Sequence, residues 1–185
     1  MNLAIILTIV RILLVPVFVL LILEGENNMA LVVFVVAGGT DLLDGWIARR
    51  WEQQSALGTA LDPLADKFLL VSSLLVLTWP GETTLARIPS WLTIVAIGRD
   101  LLLVAGAVAV NWLRGTHTFP PSRWGKWATF SQLMSVFSVL LINAGYNFPI
   151  PLVPIFVMAL ALTVISGLHY LTRALHLGDF VSRRS

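Results

Sequence analysis

Six runs of apolar residues, near 3–23, 29–49, 58–79, 91–112, 124–144 and 149–172, are each long enough to cross a bilayer as a helix. Inside hydrocarbon every backbone N–H and C=O must be satisfied from within the chain, which leaves only helices and closed barrels. Apolar runs of this length select helices. Composition agrees: of 185 residues, 57% are hydrophobic and 12% charged, where a soluble domain carries about 25% charged residues. Mean hydropathy is +0.87. The expected fold is therefore an all-α integral membrane protein of six transmembrane helices, forming a single domain over 1–185. Pro16 is expected to kink the first helix. The sequence has no cysteine, which excludes disulfides and cysteine-based metal or nucleophile chemistry.

Charge placement orients the helices. The segment after the second run carries Arg49 and Arg50, the one after the fourth carries Arg114, Arg123 and Lys126, and the tail carries Arg173, Arg183 and Arg184. On the opposite side EGENN has no basic residue, PGETTLARIPS has only Arg87, and NAGYNFPIP is uncharged. The excess of positive charge on cytoplasmic loops then puts both termini in the cytoplasm, together with the connection between helices two and three. All seven tryptophans, at 46, 51, 79, 91, 112, 124 and 127, fall at or near run ends, where an aromatic belt would sit. The net charge of +2, placed as topology demands, gives no reason to expect a nucleic-acid partner.

Four aspartates interrupt this apolar pattern within TDLLDGWIARRWEQQSALGTALDPLADKFLL. Asp41 and Asp44 are spaced i, i+3, and Asp62 and Asp66 i, i+4, so each pair lies on one face of its helix. Carboxylates near hydrocarbon are costly and mark function. On helix two, Asp41, Asp44, Gly45 and Ala48 share a stripe; on helix three, Gly58, Asp62 and Asp66 do. Small residues beside carboxylates let a ligand approach the backbone. Oxygen-only ligands select Mg²⁺ or Mn²⁺ over Zn²⁺, and four negative charges would balance two divalent ions. Two such ions are the usual device for phosphoryl chemistry. A structural network of these aspartates with Arg49, Lys67 or Arg99 is the bland alternative.

The string Asp41-x-x-Asp44-Gly45-x-x-Ala48-Arg49-x8-Gly58-x-x-x-Asp62-x-x-x-Asp66 resembles the complete signature of the CDP-alcohol phosphotransferases. The resemblance extends to the small size, the six spans and the motif's place across helices two and three. It implies transfer of a substituted phosphate from a CDP-alcohol to a second alcohol, with release of CMP. It implies two ions, Mg²⁺ or Mn²⁺, held by Asp41, Asp44 and Asp62, with Asp66 also near the metal and acting as general base. It implies that Asp41, Gly45, Ala48, Arg49, Gly58 and Asp62 take part in binding the cytidine diphosphate. A homodimer in the bacterial cytoplasmic (inner) membrane, surrounded by membrane lipids, is the family expectation. The site would then lie at the cytoplasmic ends of helices two and three.

The extension LDPLADK, the opening Asn2–Pro16 with Thr8 and Arg11, and Gly125-Lys126 with Thr129 and Gln132 are similar to the branch using CDP-diacylglycerol and glycerol-type acceptors. That branch holds phosphatidylglycerophosphate synthases and eukaryotic-type cardiolipin synthases. Arg99-Asp100 departs from the Arg-Glu, with a second arginine about two turns later, of the former and looks more like the latter. Glycerol 3-phosphate is a dianion that wants basic ligands; Arg11, Lys67, Arg99, Arg123 and Lys126 are the candidates. Glycerol 3-phosphate is placed first as acceptor and phosphatidylglycerol second. Arg11 either snorkels or faces the site. Arg99-Asp100 is either a self-contained ion pair or part of an acceptor site. A rival reading makes the aspartates the filter of a divalent-cation transporter, but no second cluster marks an exit.

Overall fold

The computed structural model describes the backbone of residues 3–51, 56–80, 84–114, 122–146 and 149–182, and their side chains apart from those of 3–7, 41–51, 56–64, 107–114 and 173–182. The described residues form six helices and no strand: α1 (Leu3–Leu23), α2 (Asn27–Trp51), α3 (Ala56–Thr78), α4 (Ser90–Arg114), α5 (Arg123–Asn143) and α6 (Leu152–Ser182). α1 runs unbroken through Pro16. Within the described residues, Arg123–Asn143 and Leu152–Thr172 are long and apolar enough to cross a membrane, and Thr8–Leu23 and Asn27–Thr40 are shorter apolar stretches.

The chain forms two compact units. The first comprises Met1–Ile88 and Val136–Ile150, the second Pro89–Ser135 and Pro151–Ser185, so α5 contributes to both.

In the first unit α1 packs against both α2 and α3. The packing face of α1 can be read directly: Thr8, Arg11, Phe18 and Ile22 are buried at steps of three, seven and four residues, while Leu13, Val17 and Leu20 between them are exposed. Large exposed aliphatic side chains along a helix flank are a liability in water and the natural surface in lipid. Phe18 meets Phe34 of α2 with ring centroids 5.9 Å apart. Ala65, Leu69, Leu70, Ser73, Leu74 and Leu77 form the matching face of α3.

α1 and α5 end in the same way. After α1, Glu26 N–H donates to Leu21 C=O (2.9 Å) and Gly25 N–H to Ile22 C=O (3.2 Å). After α5, Tyr146 donates to Leu141 (3.1 Å) and Gly145 to Ile142 (3.0 Å). These are Schellman closures, which need a left-handed residue. Gly25 (φ 81°) and Gly145 (φ 83°) supply it without a Cβ penalty. The connection following α3 is pinned from two sides. Ile88 N–H donates to Leu77 C=O at 3.0 Å. The Asn143 side chain accepts from Ala86 N–H (2.7 Å) and donates to Ala86 C=O (3.0 Å).

In the second unit α4 packs on α6. Its interior is more polar. Gln132 Nε2 donates to Thr163 Oγ1 at 2.9 Å, and Thr163 Oγ1 donates back to Ala159 C=O at 2.6 Å. Ser122 caps α5, its Oγ accepting from Gly125 N–H at 3.0 Å. Trp79, Trp91, Trp124 and Trp127 are exposed at or beside helix ends, the placement a membrane interface favours.

Candidate active site

Helix register brings the aspartate segments to one level. Asp44 lies seven residues before the end of α2 and Asp62 six after the start of α3. At 1.5 Å per residue these are depths of about 10 and 9 Å from the connection that joins the two helices. α1 is joined to α2 at the far end, by only three residues, the end at which α3 also finishes. Arg11, twelve residues before the end of α1, and Asp66, twelve before the end of α3, each lie about 18 Å from that end.

Those two depths meet. Arg11 Nη1 donates to Asp66 Oδ1 at 2.5 Å, across a sequence separation of 55. The Arg11 side chain is 1% exposed and that of Asp66 46%. A guanidinium taken out of water costs several kcal/mol unless paired, and Asp66 provides the pairing. Arg11 therefore does not snorkel: it turns inward from α1 onto α3. Thr8, one turn earlier on the same face, is also fully buried.

Asp41, Asp44, Gly45, Ala48 and Arg49 lie on the continuous α2 and Gly58 and Asp62 on α3; their side chains fall outside the described residues. The helical spacing expected for both carboxylate pairs is thus realised in the backbone. Among the described residues no group of three metal-binding side chains occurs, and Asp66 alone of the four aspartates has a described side chain. The donor set on α2 and α3 is wholly carboxylate, which fits a hard divalent cation. Lys67 beside Asp66 is half-buried.

The second unit holds the other basic candidates. Arg99 is 7% exposed. Its Nη1 donates to Asp100 Oδ1 (2.7 Å) and its Nη2 to Ser166 Oγ of α6 (2.6 Å). The ion pair with Asp100 therefore forms, and it is extended to a third residue. A Cβ on Gly125 would stand 2.9 Å from Arg99 Nη2, so the bare backbone of α5 makes room for the guanidinium. Arg123 and Lys126, in the first turn of α5, are exposed. Sequence reading missed Ser166 and the fit of Gly125 to Arg99. The available signal was the polar pair Thr163 and Ser166, three residues apart in the otherwise apolar first half of α6. His169 is half-buried, and His117 and His176 fall outside the described side chains.

Residues 1–169 match the family model for CDP-alcohol phosphatidyltransferases. The chain is similar to a CDP-diacylglycerol–glycerol-3-phosphate 3-phosphatidyltransferase of Haemophilus influenzae, 32% identical over 92% of this chain and 91% of that protein. It is similar to a CMP-forming cardiolipin synthase of Streptomyces coelicolor, 40% identical over 80% of this chain and 68% of that protein. A CMP-forming cardiolipin synthase of Rattus norvegicus is 49% identical over 63% of this chain, a stretch covering 36% of that protein.

Proposed function

The chain belongs to the CDP-alcohol phosphatidyltransferase family, and on that premise we propose that it moves a phosphatidyl group from CDP-diacylglycerol to glycerol 3-phosphate, releasing CMP. The observation that carries this reading is the unbroken Asp41-to-Asp66 motif on α2 and α3, with Asp66 anchored by Arg11. Similarity along almost the whole length of the Haemophilus influenzae protein supports glycerol 3-phosphate as acceptor.

In this reading Asp41, Asp44 and Asp62, with Asp66 nearby, hold two Mg²⁺ or Mn²⁺ ions. Bound there, such ions neutralise the pyrophosphate and stabilise charge on the leaving CMP. Gly45, Ala48, Arg49 and Gly58 line the nucleotide, the small residues admitting it to the helix backbones and Arg49 meeting its phosphates. Asp66 takes the proton of the acceptor hydroxyl as that oxygen attacks the β-phosphorus. The carboxylate is suited to this: it is anchored by Arg11 and half-exposed. Lys67, Arg123 and Lys126 are the less buried of the basic candidates for an anionic acceptor, and Arg99 would act on it through its pair with Asp100. In this reading all six helices cross the membrane, with both termini and the aspartate ends cytoplasmic, an orientation that the distribution of arginine and lysine supports. A second copy of the chain is the expected partner.

A second reading takes phosphatidylglycerol as acceptor. The Arg99–Asp100 pair and the higher identity to the cardiolipin synthases over shorter stretches favour it.

The test of the catalytic reading is CMP release by purified protein supplied with CDP-diacylglycerol, acceptor and Mn²⁺ or Mg²⁺. Asp41→Asn and Asp62→Asn are expected to abolish release and to weaken binding of the ions. Undiminished turnover by the native chain in excess chelator would overturn the metal assignment.

A further inference from the structure

We propose that Arg11 is the positioning residue of the proton acceptor: it fixes the Asp66 carboxylate toward the acceptor hydroxyl and does not itself bind the acceptor. This rests on the assignment of Asp66 as general base.

The geometry of the pair carries the inference. Arg11 and Asp66 lie on different helices, 55 residues apart, and share a direct Nη1–Oδ1 contact of 2.5 Å. Their exposures are opposite: the Arg11 side chain is 1% accessible, that of Asp66 46%. An arginine that gathers an anionic headgroup from solution or from the bilayer must present its guanidinium to it. Arg11 donates from its guanidinium to Asp66, and its side chain is almost wholly buried. Asp66 is the accessible member. The pair thus works in one direction, a cation held in the interior behind a carboxylate that reaches outward.

Asp66 needs such a hold. Its neighbour Ala65 is buried in the helix interface and Phe68, two residues on, is exposed, so Asp66 stands at the margin of the packed face. An aspartate side chain on a helix has more than one staggered rotamer. Proton abstraction requires one of them, with the oxygen within hydrogen-bond reach of the hydroxyl. A misplacement of about 1 Å in such an arrangement costs on the order of 100-fold in rate. The guanidinium fork suits the task because it is planar, rigid and permanently charged; a lysine ammonium on its flexible stem is not equivalent. Arg11 is itself held by the packing of α1, since Thr8, Phe18 and Ile22 on the same face are buried.

The experiment compares Arg11→Met, Arg11→Lys and Asp66→Asn in the full-length purified protein. The readouts are kcat, KM for CDP-diacylglycerol, KM for the acceptor, and thermal unfolding of each variant. Arg11→Met is expected to lose about 100-fold in kcat, with both KM values within about twofold of the native ones. Arg11→Lys is expected to recover part of that loss, to about tenfold below native, because charge is kept and the fork is not. A rise in acceptor KM with kcat preserved would overturn the proposal and make Arg11 an acceptor ligand. Equal kcat in Arg11→Met and the native protein would overturn it as well. If Arg11→Met does not fold, Arg11→Lys decides, and native kcat in that variant would refute positioning. Asp66→Asn separates this proposal from the one beneath it: turnover surviving in Asp66→Asn removes the general base itself. Loss there, combined with a pure acceptor-KM effect at Arg11, removes only the positioning role.

Discussion

Asn143→Ala should destabilise the protein without touching its chemistry. Asn143 and Ala86 are 7% and 8% exposed, and the Asn143 amide satisfies both backbone groups of Ala86, at 2.7 and 3.0 Å. Alanine would leave a buried N–H and a buried C=O without these partners. Each such group costs about 1–3 kcal/mol. The small residual exposure of both residues allows some recovery by solvent, so the combined loss is about 3 kcal/mol. For a chain of this length, about 3 kcal/mol corresponds to a fall in Tm of roughly 6–12 °C. Asn143→Asp should fall between, because a carboxylate still accepts from Ala86 N–H and cannot donate to its C=O. Thermal unfolding in a fixed detergent reads the shift. The kcat of the folded fraction should be native, because Asp66 lies twelve residues before the end of α3, about 18 Å along the helix from the segment Asn143 holds. An unchanged Tm in Asn143→Ala would refute the reasoning, as would a specific loss of kcat at native stability.

Two further outcomes concern the second unit. Arg99→Ala is expected to raise the KM for the acceptor more than that for the CDP-lipid; an equal effect on both would remove Arg99 from acceptor binding. Gly125→Ala is expected to act in the same direction and more weakly. Its Cβ would press on Arg99 Nη2 from 2.9 Å and on Ser122 Oγ from 3.3 Å, and the end of a long side chain can yield. A normal acceptor KM in Gly125→Ala beside a raised one in Arg99→Ala would show that the guanidinium moves without consequence.

Much of the helical layout was written in local sequence. The run 3–23 became α1 with the same bounds, and 124–144 shifted by one residue to become α5. α6 departs more. It begins at Leu152, not at 149, because Pro151 disfavours the helical region for Ile150 before it. It continues to Ser182, beyond the expected 172. Hydropathy reports how far a helix can lie in hydrocarbon, and a helix need not stop where its sequence turns polar. The expected kink at Pro16 does not interrupt α1.

The site divided along similar lines. The spacing of Asp41, Asp44, Asp62 and Asp66 is a local property, and helix geometry alone put each pair on one face. Arg11 stood out as an ionisable residue inside an apolar run, but its partner lies 55 residues away, and no local rule could choose between solvent and Asp66. Arg99 presented the same difficulty. Its bond to Asp100 is a neighbour's bond that the sequence suggests, whereas the one to Ser166 spans 67 residues and depends on how α4 packs against α6. The clamp of Asn143 on Ala86, 57 residues apart, left no trace in either segment.

The most direct measurement offers purified protein CDP-diacylglycerol and Mn²⁺ or Mg²⁺, with glycerol 3-phosphate or phosphatidylglycerol in separate reactions, and follows both CMP and the lipid product. The account predicts CMP and phosphatidylglycerophosphate in equal amounts with glycerol 3-phosphate. CMP and cardiolipin formed with phosphatidylglycerol alone would contradict the acceptor assignment, and no CMP with either acceptor would contradict the account itself.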